Sequence, residues 1–400
     1  MTEERPTGPS ERRESTRETA SAGDLLALLR SGQAATRADL RRLTGLSRTA
    51  VVSRVNALAD SGLLRHGEDL ASTGGRPPAS LELDTGAGTV LSLAVGRSRS
   101  QVAVFDLGGT QLAASEVDHE IGAGPDEVMP IVAGQLRRLL GDETPPVLGI
   151  GMSLPGVVDP VRGMSVDSPV IGGWDGVPLA PYLAEVADAP LFLANDANAL
   201  ARSEFLGHAA HTHDLLVVKA STGLGMGVVA GGRLVHGVLG GAGDLGHTKV
   251  PEADGRPCRC GDTGCLETLA AGWSLVARLQ EDGRTLEHVR DLVALALAGD
   301  PEAKQLLRES GRRLGELLAV AINLLNPRAV VLGGDMAAAY DVYAAGVREA
   351  VYARASAFAT RELQILPSTY GDRAGLVGCA ALALDGVLSP SAVDARLARS

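Results

Sequence analysis

Three cysteines and a histidine have the spacing of a metal site. Cys258, Cys260 and Cys265 lie in the segment CRCGDTGC, and His247 precedes the first of them by eleven residues. Three thiolates and one imidazole form a complete tetrahedral donor set for Zn²⁺ with no position left for a reactive water, so the pattern predicts a structural zinc site. The alternative is a group of reduced thiols in the core of an intracellular protein.

A second stretch that could do chemistry is rich in glycine. The segment FDLGGTQLA, residues 105–113, places an acidic residue, two glycines and a threonine between two apolar strands. Backbone N–H groups of such a turn can cradle a nucleotide phosphate. The same residues also suit an ordinary β-hairpin turn, for reasons unrelated to any ligand.

The composition indicates a large α/β protein. The 400 residues are 45% hydrophobic but only 3% aromatic, and 50 are glycine, which favours aliphatic cores joined by tight turns. No apolar run reaches the roughly 18 residues that span a bilayer, and the N-terminus lacks the apolar stretch of a secretory signal. We therefore expect a cytoplasmic protein without a membrane partner. The net charge of −11 gives no overall nucleic-acid-binding character, but it can hide a locally basic face.

The chain divides into four regions by pattern. Residues 1–22 are polar without periodicity and are expected to form a disordered tail. Residues 23–72 combine three short helical patterns with the beginning of a β-hairpin, and 73–87 have the composition of a Gly-Pro linker. Residues 88–400 alternate short aliphatic strands with helices, which predicts two related lobes around a cleft.

The second and third helical patterns have the form of a helix-turn-helix. Gly45 can take the left-handed position that ends the second helix, and Ser47 can cap the third. Val51, Val55 and Leu58 then form one buried stripe, which leaves a polar face outward. The side chains predicted to contact DNA, five of them on this face, are Arg37, Arg48, Thr49, Ser53, Arg54, Asn56 and, in the linker, Arg76.

Two other interpretations of this region stay open. Capped amphipathic helices also build small protein-docking modules. The linker segment STGGRPPA could reach a minor groove with Arg76 or serve as an interdomain hinge.

The region from 89 to about 387 resembles the ROK family, which groups bacterial repressors, open reading frames of unknown role and sugar kinases. The resemblance depends on the order and spacing of six motifs: LPGVVD (154–159), NDANAL (195–200), STGLGMG (221–227), GAGDLGH (241–247), CRCGDTGCLE (258–267) and NPRAVVLGG (326–334). It implies the repressor architecture of that family. We expect a winged helix-turn-helix followed by a two-lobed actin/hexokinase-like (ribonuclease H-like) domain.

Counting strands decides between the two interpretations of DLGGT. The fold implied by the resemblance begins with a three-strand meander whose first turn binds phosphate, and VLSLAV, QVAVFDL and QLAASEV supply the strands. DLGGT then falls in the second turn, an ordinary hairpin. The first turn, where the kinases carry Asp-x-Gly-(Gly/Ala)-Thr, is Ala94 to Ser98 in this chain. Ala94 offers no oxygen to a magnesium nucleotide and Arg97 is bulky, so we expect no kinase activity.

The sugar side of the implied cleft is better preserved. By resemblance, Asp196 matches the kinase general base and is expected to be vestigial here, while Asn195, Asp244, His247 and Glu267 match hydroxyl-binding positions. The family usually has Glu at position 244 and, in many members, Asn at position 170, where this chain has Val170. The alternative for Asn195 and Asp196 is that they only cap the following helix.

Together these features predict a sugar-responsive DNA-binding transcriptional regulator, a repressor of carbohydrate uptake or catabolism genes. Its partners are expected to be operator DNA, a sugar or sugar-derivative effector, and further copies of itself in a homodimer or homotetramer. The resemblance implies that zinc pins the GDLGH and CLE segments together beside the ligand. One alternative is an ATP-dependent sugar kinase with an attached DNA-binding domain. Another is a module with a vestigial cleft, regulated by a protein that docks at the zinc region.

Overall fold

The computed structural model of the protein describes residues 20–69, 79–141, 143–166, 172–207 and 210–399. Most of the predicted tail, the predicted DNA contact Arg76 and the family departure at Val170 therefore lie outside the described residues. Of the tail, Ser21 and Ala22 are described, and they cap and begin the first helix.

The N-terminal unit consists of three helices and a two-stranded antiparallel hairpin. Its elements are α1 (Ala22–Arg30), α2 (Arg37–Thr44), α3 (Arg48–Asp60), β1 (Leu64–Asp69) and β2 (Ala79–Leu83). Gly45 has φ 72°, the left-handed conformation that ends α2, and the Ser47 side chain accepts a hydrogen bond from the Ala50 N–H to cap α3. Val51, Val55 and Leu58 are buried. The predicted helix-turn-helix geometry is confirmed.

The hairpin extends later in the sequence than its predicted boundary. Strand β2 pairs with β1 in the register Leu64 to Leu83, yet β2 lies inside the range 73–87 assigned to a linker. Strand β2 pairs with β1, and Leu81 is buried among the helices of the N-terminal unit. These contacts make β2 part of the hairpin, which we call the wing. Only 84–88 separates the wing from the next strand.

The first lobe, called the N-lobe, is built on a five-stranded sheet of order β5-β4-β3-β6-β9. Strands β3, β4 and β5 form the predicted antiparallel meander, and β6 and β9 add in parallel. The lobe and the helix that follows it comprise β3 (Thr89–Val95), β4 (Arg99–Asp106), β5 (Gln111–Asp118), α4 (Pro125–Leu139), β6 (Val147–Leu154), β7 (Val158–Asp159), β8 (Met164–Ser165), α5 (Ala180–Leu183), β9 (Leu191–Asn195) and α6 (Asp196–Glu204).

The second lobe, called the C-lobe, repeats this plan with the sheet order β12-β11-β10-β13-β14. Its elements are β10 (Leu215–Ala220), β11 (Leu224–Ala230), β12 (Arg233–Val235), α7 (Glu267–Ala270), α8 (Gly272–Glu281), α9 (Val289–Leu297), α10 (Pro301–Leu325), β13 (Ala329–Gly333), α11 (Tyr340–Arg354), α12 (Ala357–Thr360) and β14 (Gln364–Pro367). Two meanders extended by parallel strands confirm the predicted two-lobed fold.

The segment DLGGT forms the turn between β4 and β5. Asp106 Oδ1 accepts a hydrogen bond from the Thr110 N–H at 2.7 Å, and Gly109 has φ 85°, which glycine adopts without strain. The cleft between the lobes is lined by other segments. The hairpin interpretation is confirmed.

Two helices at the C-terminus, α13 (Ala374–Val387) and α14 (Pro390–Leu397), return the chain to the N-lobe. Helix α13 lies between the N-lobe sheet and α6, where Gly378 permits close approach because a Cβ there would lie 1.8 Å from the Ala199 carbonyl oxygen. Cys379 is fully buried in this helix. In the described part of the chain no single helix is long and apolar enough to span a membrane, although the bent pair 371–387 and 390–397 passes that test together.

The N-terminal unit, called the head, packs against the N-lobe through α1 and α14. Leu25 and Leu26 of α1 belong to one buried cluster with Val393 of α14 and Leu384 of α13. The Gly23 N–H donates to Asp394 Oδ1 at 2.9 Å, and Gly23 lies so close to Pro390 that a side chain there would clash. The head is therefore in direct contact with the domain that carries the cleft.

Candidate functional site

A cleft of about 960 Å³ separates the two lobes. Its walls are the ends of strands from both sheets and the turns that follow them, the place where ligands bind in such α/β sheets. The first turn of the N-lobe, the β9-α6 junction and the β10-β11 turn contribute to the lining. Asn195, Asp196, Asp244, His247 and Glu267, the five predicted sugar-binding residues, all line this cleft.

Asn195 has a structural task at the start of α6. Its side-chain oxygen accepts hydrogen bonds from the backbone N–H groups of Ala197 at 2.9 Å and Asn198 at 3.2 Å, and its amide donates to the Gly156 carbonyl at 2.8 Å. The capping alternative therefore describes what Asn195 does. One amide hydrogen still lacks a hydrogen bond among the described residues.

Asp196 does not cap the helix. Its Oδ2 lies 2.8 Å from the Lys219 Nζ, and both side chains face the cleft with 18% and 28% of their surface exposed. Lys219 lies on β10 and was not among the predicted site residues.

The charge of Lys219 is stabilised by its neighbours. Burial alone would lower the pKa of Lys219, but Asp196 and the more distant Asp335 and Glu267 outweigh it and raise that pKa. Asp335 also accepts a hydrogen bond from the Ser221 hydroxyl. The floor of the cleft therefore contains two polar contacts at the end of β10, the ion pair of Lys219 with Asp196 and the hydrogen bond from Ser221 to Asp335.

Glu267 is buried and holds the C-lobe wall of the cleft. Its Oε1 accepts a hydrogen bond from the Leu224 N–H at 2.7 Å, and its Oε2 accepts from the Trp273 indole N–H at 3.1 Å. These contacts fix the glycine-rich turn before β11. Asp244 is exposed and lines the same wall.

The predicted metal ligands His247, Cys258, Cys260 and Cys265 form one cluster, with a donor atom from each within 4.8 Å of the others. The sulfurs of Cys260 and Cys265 are 3.7 Å apart, and Cys258 Sγ is 3.7 Å from His247 Nδ1. A tetrahedral zinc site with Zn–S of about 2.3 Å and Zn–N of about 2.0 Å places neighbouring donors about 3.6–3.8 Å apart. The donor set and its spacing therefore fit zinc.

The cluster lies in a partly buried environment with a charged neighbour. Burial raises the pKa of the Cys258 thiol to about 12. Lys249 donates to Cys265 Sγ at 3.1 Å and pairs with Asp262 at 2.7 Å, which ties the loop to the rest of the site. His247 faces Cys258 in this arrangement, so its ring serves the metal cluster at the edge of the cleft.

The N-lobe side of the cleft carries the altered first turn. Ala94 ends in a methyl group at the cleft surface, and the Gly96 N–H donates to the Arg99 carbonyl at 2.9 Å to close the turn. Arg97 projects from this turn into the cleft lining. No side-chain oxygen for a magnesium nucleotide stands at position 94.

The predicted DNA-contacting residues that the structure describes lie on the head and do not line the cleft. Arg48, Thr49, Ser53 and Asn56 are exposed on one side of α3. Arg54 is partly buried and donates back to the Ala50 carbonyl at 3.3 Å. Arg37 is partly buried at the start of α2.

The sequence matches the model of the ROK family over residues 90–386. The chain belongs to the ROK family. The xylose repressor of Bacillus subtilis strain 168 is 29% identical over 356 residues, which cover 88% of this chain and 91% of that protein. The DNA-binding transcriptional dual regulator NagC of Escherichia coli K12 is 27% identical over 369 residues, covering 86% and 88%.

Solved ROK structures agree with these matches. A ROK family transcriptional regulator, a homologue of the E. coli MLC protein, superimposes with a TM-score of 0.78 at 26% identity and covers 95% of this chain and 98% of its own. A ROK family glucokinase from Streptomyces griseus, in complex with glucose and AMPPNP, has a TM-score of 0.65 at 27% identity. The match covers 99% of the glucokinase chain but 74% of this one.

Proposed function

We propose that this ROK protein is a cytoplasmic, sugar-responsive transcriptional repressor of carbohydrate uptake or catabolism genes. The Bacillus subtilis xylose repressor matches the chain over 88% of its length and NagC over 86%, whereas the Halalkalibacterium halodurans glucokinase matches 58%. The observation that carries the proposal is a connection between the cleft and the DNA-binding head. It runs through one carboxylate, that of Asp385 on α13.

Asp385 accepts from two arginines of different units. Arg30 at the end of α1, in the head, lies 3.0 Å from Asp385 Oδ1, and Arg202 in the last turn of α6 lies 2.5 Å from Oδ2. The first residue of α6 is Asp196, in the cleft. A ligand that shifts α6 therefore changes the position of a group that the head also binds. Because the cleft and the head share this contact, ligand binding in the cleft and the position of the head depend on the same conformational equilibrium. Allosteric coupling requires such a shared equilibrium.

The head supplies the DNA-reading surface in this proposal. Exposed Arg48 and Thr49 at the start of α3 and Ser53 and Asn56 further along suit contacts to base edges in a major groove, and Arg37 suits a phosphate contact. Arg54 and, in the linker, Arg76 complete the proposed set.

Phosphoryl transfer is absent from the proposed activity. Three features of the cleft support this. Ala94 has no side-chain oxygen to bind the magnesium of a nucleotide, and Arg97 places a bulky side chain in the turn that would approach the phosphates. Asp196, which matches the general base of the kinases, is paired with Lys219. Asp196 then acts as a hydrogen-bond acceptor for a sugar hydroxyl together with Asp244 and the free amide hydrogen of Asn195.

Zinc has a structural role in the proposal. His247, Cys258, Cys260 and Cys265 would hold it, and the bound ion would fix the loop between β12 and α7. The chain's own residues then place Asp244 and Glu267 on the cleft wall. Ligand pocket and metal loop are thereby one structural unit.

We further propose that the protein acts as a homodimer or homotetramer, because helix-turn-helix heads read paired half-sites. Exposed apolar side chains near the α10 C-terminus support an interface there. Leu324 is 78% exposed and Phe358 on α12 is 73% exposed, and Ser356 bonds to Asn323 so that the two helices are adjacent. A second copy would cover this face.

The test is operator binding with and without sugar. Genome-wide footprinting identifies the operator, and fluorescence anisotropy then measures its affinity against a sugar panel. We expect an effector to weaken binding at least about tenfold, which corresponds to about 1.4 kcal/mol of coupling. Asp385→Asn should reduce that change to less than about threefold while sugar affinity persists.

A matched control is Glu185→Gln, which removes an exposed carboxylate paired with Arg137 at 3.1 Å on the far side of the N-lobe. This variant should keep the full response. Arg48→Ala should instead weaken operator binding equally with and without sugar. A full response in Asp385→Asn would refute the proposed connection, and operator binding that no sugar changes would refute the sugar-responsive function.

A further inference from the structure

Arg97 is a half-buried arginine without a partner. Its Nε atom is inaccessible to solvent and has no hydrogen-bond acceptor. Among the described residues, no acceptor and no carboxylate lies within bonding distance of its guanidinium. Buried guanidinium groups are normally paired, because an uncompensated charge in a partly dry site is unfavourable.

A second arginine reaches the same place from the opposite lobe. Arg259, between the metal ligands Cys258 and Cys260, stacks its guanidinium 4.6 Å above the ring centre of Trp273. Among the described residues it has no carboxylate partner either. Arg97 belongs to the β3-β4 turn of the N-lobe, so the two cations meet across the boundary between the lobes.

A small cavity of about 170 Å³ lies between these two arginines. Ser98, Thr222, Gln280 and His288 supply polar groups to its lining, and the acidic Glu287 lies on it but is exposed. The volume is enough for several water molecules. Arg97 lines both this cavity and the main cleft, so the two spaces share one side chain.

The nearest buried carboxylate does not satisfy Arg97. Both oxygens of Glu267 accept hydrogen bonds from other groups, the Leu224 N–H and the Trp273 indole N–H. Burial and then the charge of Arg259 lower the pKa of Arg97 to about 10, although Glu267 acts in the opposite direction. The guanidinium of Arg97 therefore has unused N–H donors that face the cavity.

We infer that Arg97 and Arg259 bind the anionic group of the effector, which is a monosaccharide carrying a phosphate or a carboxylate. This inference rests on the proposed function and names the chemical class of its ligand. The sugar ring lies in the main cleft near Asp196, and its anionic group lies between the two guanidiniums. Planar guanidinium groups with several N–H donors match both phosphate and carboxylate oxygens.

An anion at this position also draws the lobes together. It bonds one side chain from each lobe and removes the repulsion between two like charges. The lobes already meet nearby through Arg290 on α9 and Asp118 on β5, which are 2.9 Å apart. The anion therefore binds better when the two lobes are close together than when they are apart. This difference in affinity is what a conformational response requires.

The test is calorimetric titration of the full-length zinc-loaded protein at constant ionic strength. Glucose, mannose and galactose are each compared as the neutral sugar, the 6-phosphate and the uronic acid, with inorganic phosphate titrated separately. At least one 6-phosphate or uronic acid should bind on the order of tenfold or more tightly than its neutral parent. The class that gains affinity over the neutral sugars, either the phosphates or the uronic acids, identifies the anionic group.

Arg97→Gln and Arg259→Gln should each reduce this preference to less than about threefold and leave the affinity for the neutral parent unchanged. Arg256→Gln is the matched control, since it removes the same charge from an exposed position in the same loop. That variant should keep the preference. A preference that survives in Arg97→Gln and Arg259→Gln would overturn the inference.

The results also separate this inference from the proposed function. If a neutral sugar binds and changes operator affinity while its charged forms bind no better, the inference is wrong and the proposed function stands. If no sugar of either class binds or changes operator affinity, both are wrong. Binding of inorganic phosphate that is lost in Arg97→Gln supports the site itself.

Discussion

The two lobes carry corresponding turns at the cleft, and these turns have opposite properties. The β10-β11 turn of the C-lobe keeps small residues, and at Gly223 a Cβ would lie only 2.7 Å from Glu267 Oε1. The β3-β4 turn of the N-lobe carries Arg97, which lines the cleft and whose buried Nε has no hydrogen-bond partner. One turn is fixed by packing, and the other presents a free cation.

The difference shows why glycine content alone is poor evidence for nucleotide binding. The glycines of STGLGMG are required by contacts with α6 and Glu267: Gly225 and Gly227 both lie against Ala197 or Ala201. Close packing accounts for them without any phosphate. The N-lobe turn also has one tight glycine, since a Cβ at Gly96 would lie 2.7 Å from the Arg99 carbonyl oxygen, but its Arg97 lines the cleft.

The largest effect should come from the metal cluster that supports the C-lobe turn. Cys265→Ser should remove the bound zinc, loosen residues 241–270 and lower the free energy of unfolding by more than about 3 kcal/mol, because structural metal binding contributes directly to folding. Elemental analysis and amide hydrogen exchange measure both effects. Cys379→Ala, which changes a buried cysteine outside the cluster, should keep the metal. Full metal content in Cys265→Ser would contradict the assignment.

The next effect concerns the glycines of the C-lobe turn. Gly227→Ala places a Cβ 2.4 Å from the Ala201 Cβ and 3.0 Å from the Ala197 carbonyl oxygen. We expect a loss of about 2–3 kcal/mol in the free energy of unfolding, measured by urea titration, because the strand and α6 must separate.

The matched change is Gly134→Ala in α4, where no atom lies within 4 Å of the added Cβ. This variant should gain up to about 1 kcal/mol, since alanine is the better helix former. Equal effects at the two positions would show that packing does not explain the C-lobe glycines.

A smaller effect is expected from the ion pair in the cleft floor. Lys219→Met leaves Asp196 without its partner and should cost about 1–2 kcal/mol, less than a fully buried pair, because both groups keep some exposure. The same ion pair should give the stability a pH dependence. The pKa of Lys219 is raised in the folded protein, so its contribution to the free energy of unfolding is complete below the unfolded pKa of about 10.4. That contribution is lost as pH rises through the folded pKa. The stability difference between Lys219→Met and the unaltered protein should thus be constant from pH 7 to 9 and shrink above about pH 10.5. A difference that falls between pH 7 and 9 would contradict this.

The smallest effect should come from the N-lobe turn. Arg97→Gly removes a side chain that has no bonded partner, so the free energy of unfolding should change by less than about 0.5 kcal/mol. Thermal unfolding of the ligand-free protein measures this. A loss comparable with that of Gly227→Ala would show that the two turns do not differ in the way described.

Much of this architecture could be predicted from the sequence, because its signals are local. The stripe of Val51, Val55 and Leu58 fixes α3, and the three aliphatic strands around 90–117 fix the meander that places DLGGT in a hairpin. The cluster of His247, Cys258, Cys260 and Cys265 follows from donor chemistry and spacing. The boundary of the wing was less accurate, since β2 lies in a segment whose Gly-Pro composition predicted a linker.

Contacts between distant segments could not be predicted. Lys219 is one of only three lysines, and it interrupts the apolar strand LLVVKA, but the sequence does not show what it pairs with. Its partner Asp196 lies on another element, and only the fold brings them to 2.8 Å. The position of Arg97 against Arg259 and the sharing of Asp385 by Arg30 and Arg202 likewise depend on tertiary packing.

The most direct test of the central claim, that this cleft binds a carbohydrate but no longer a nucleoside triphosphate, is a paired titration of the zinc-loaded protein. MgATP and the sugar panel are titrated separately, and ADP release is followed in a coupled assay with both present. The account predicts saturable binding of a sugar or its anionic derivative, no binding of MgATP at millimolar concentration and no ADP release. Saturable MgATP binding with hexose-dependent ADP release that disappears in Asp196→Asn would contradict it.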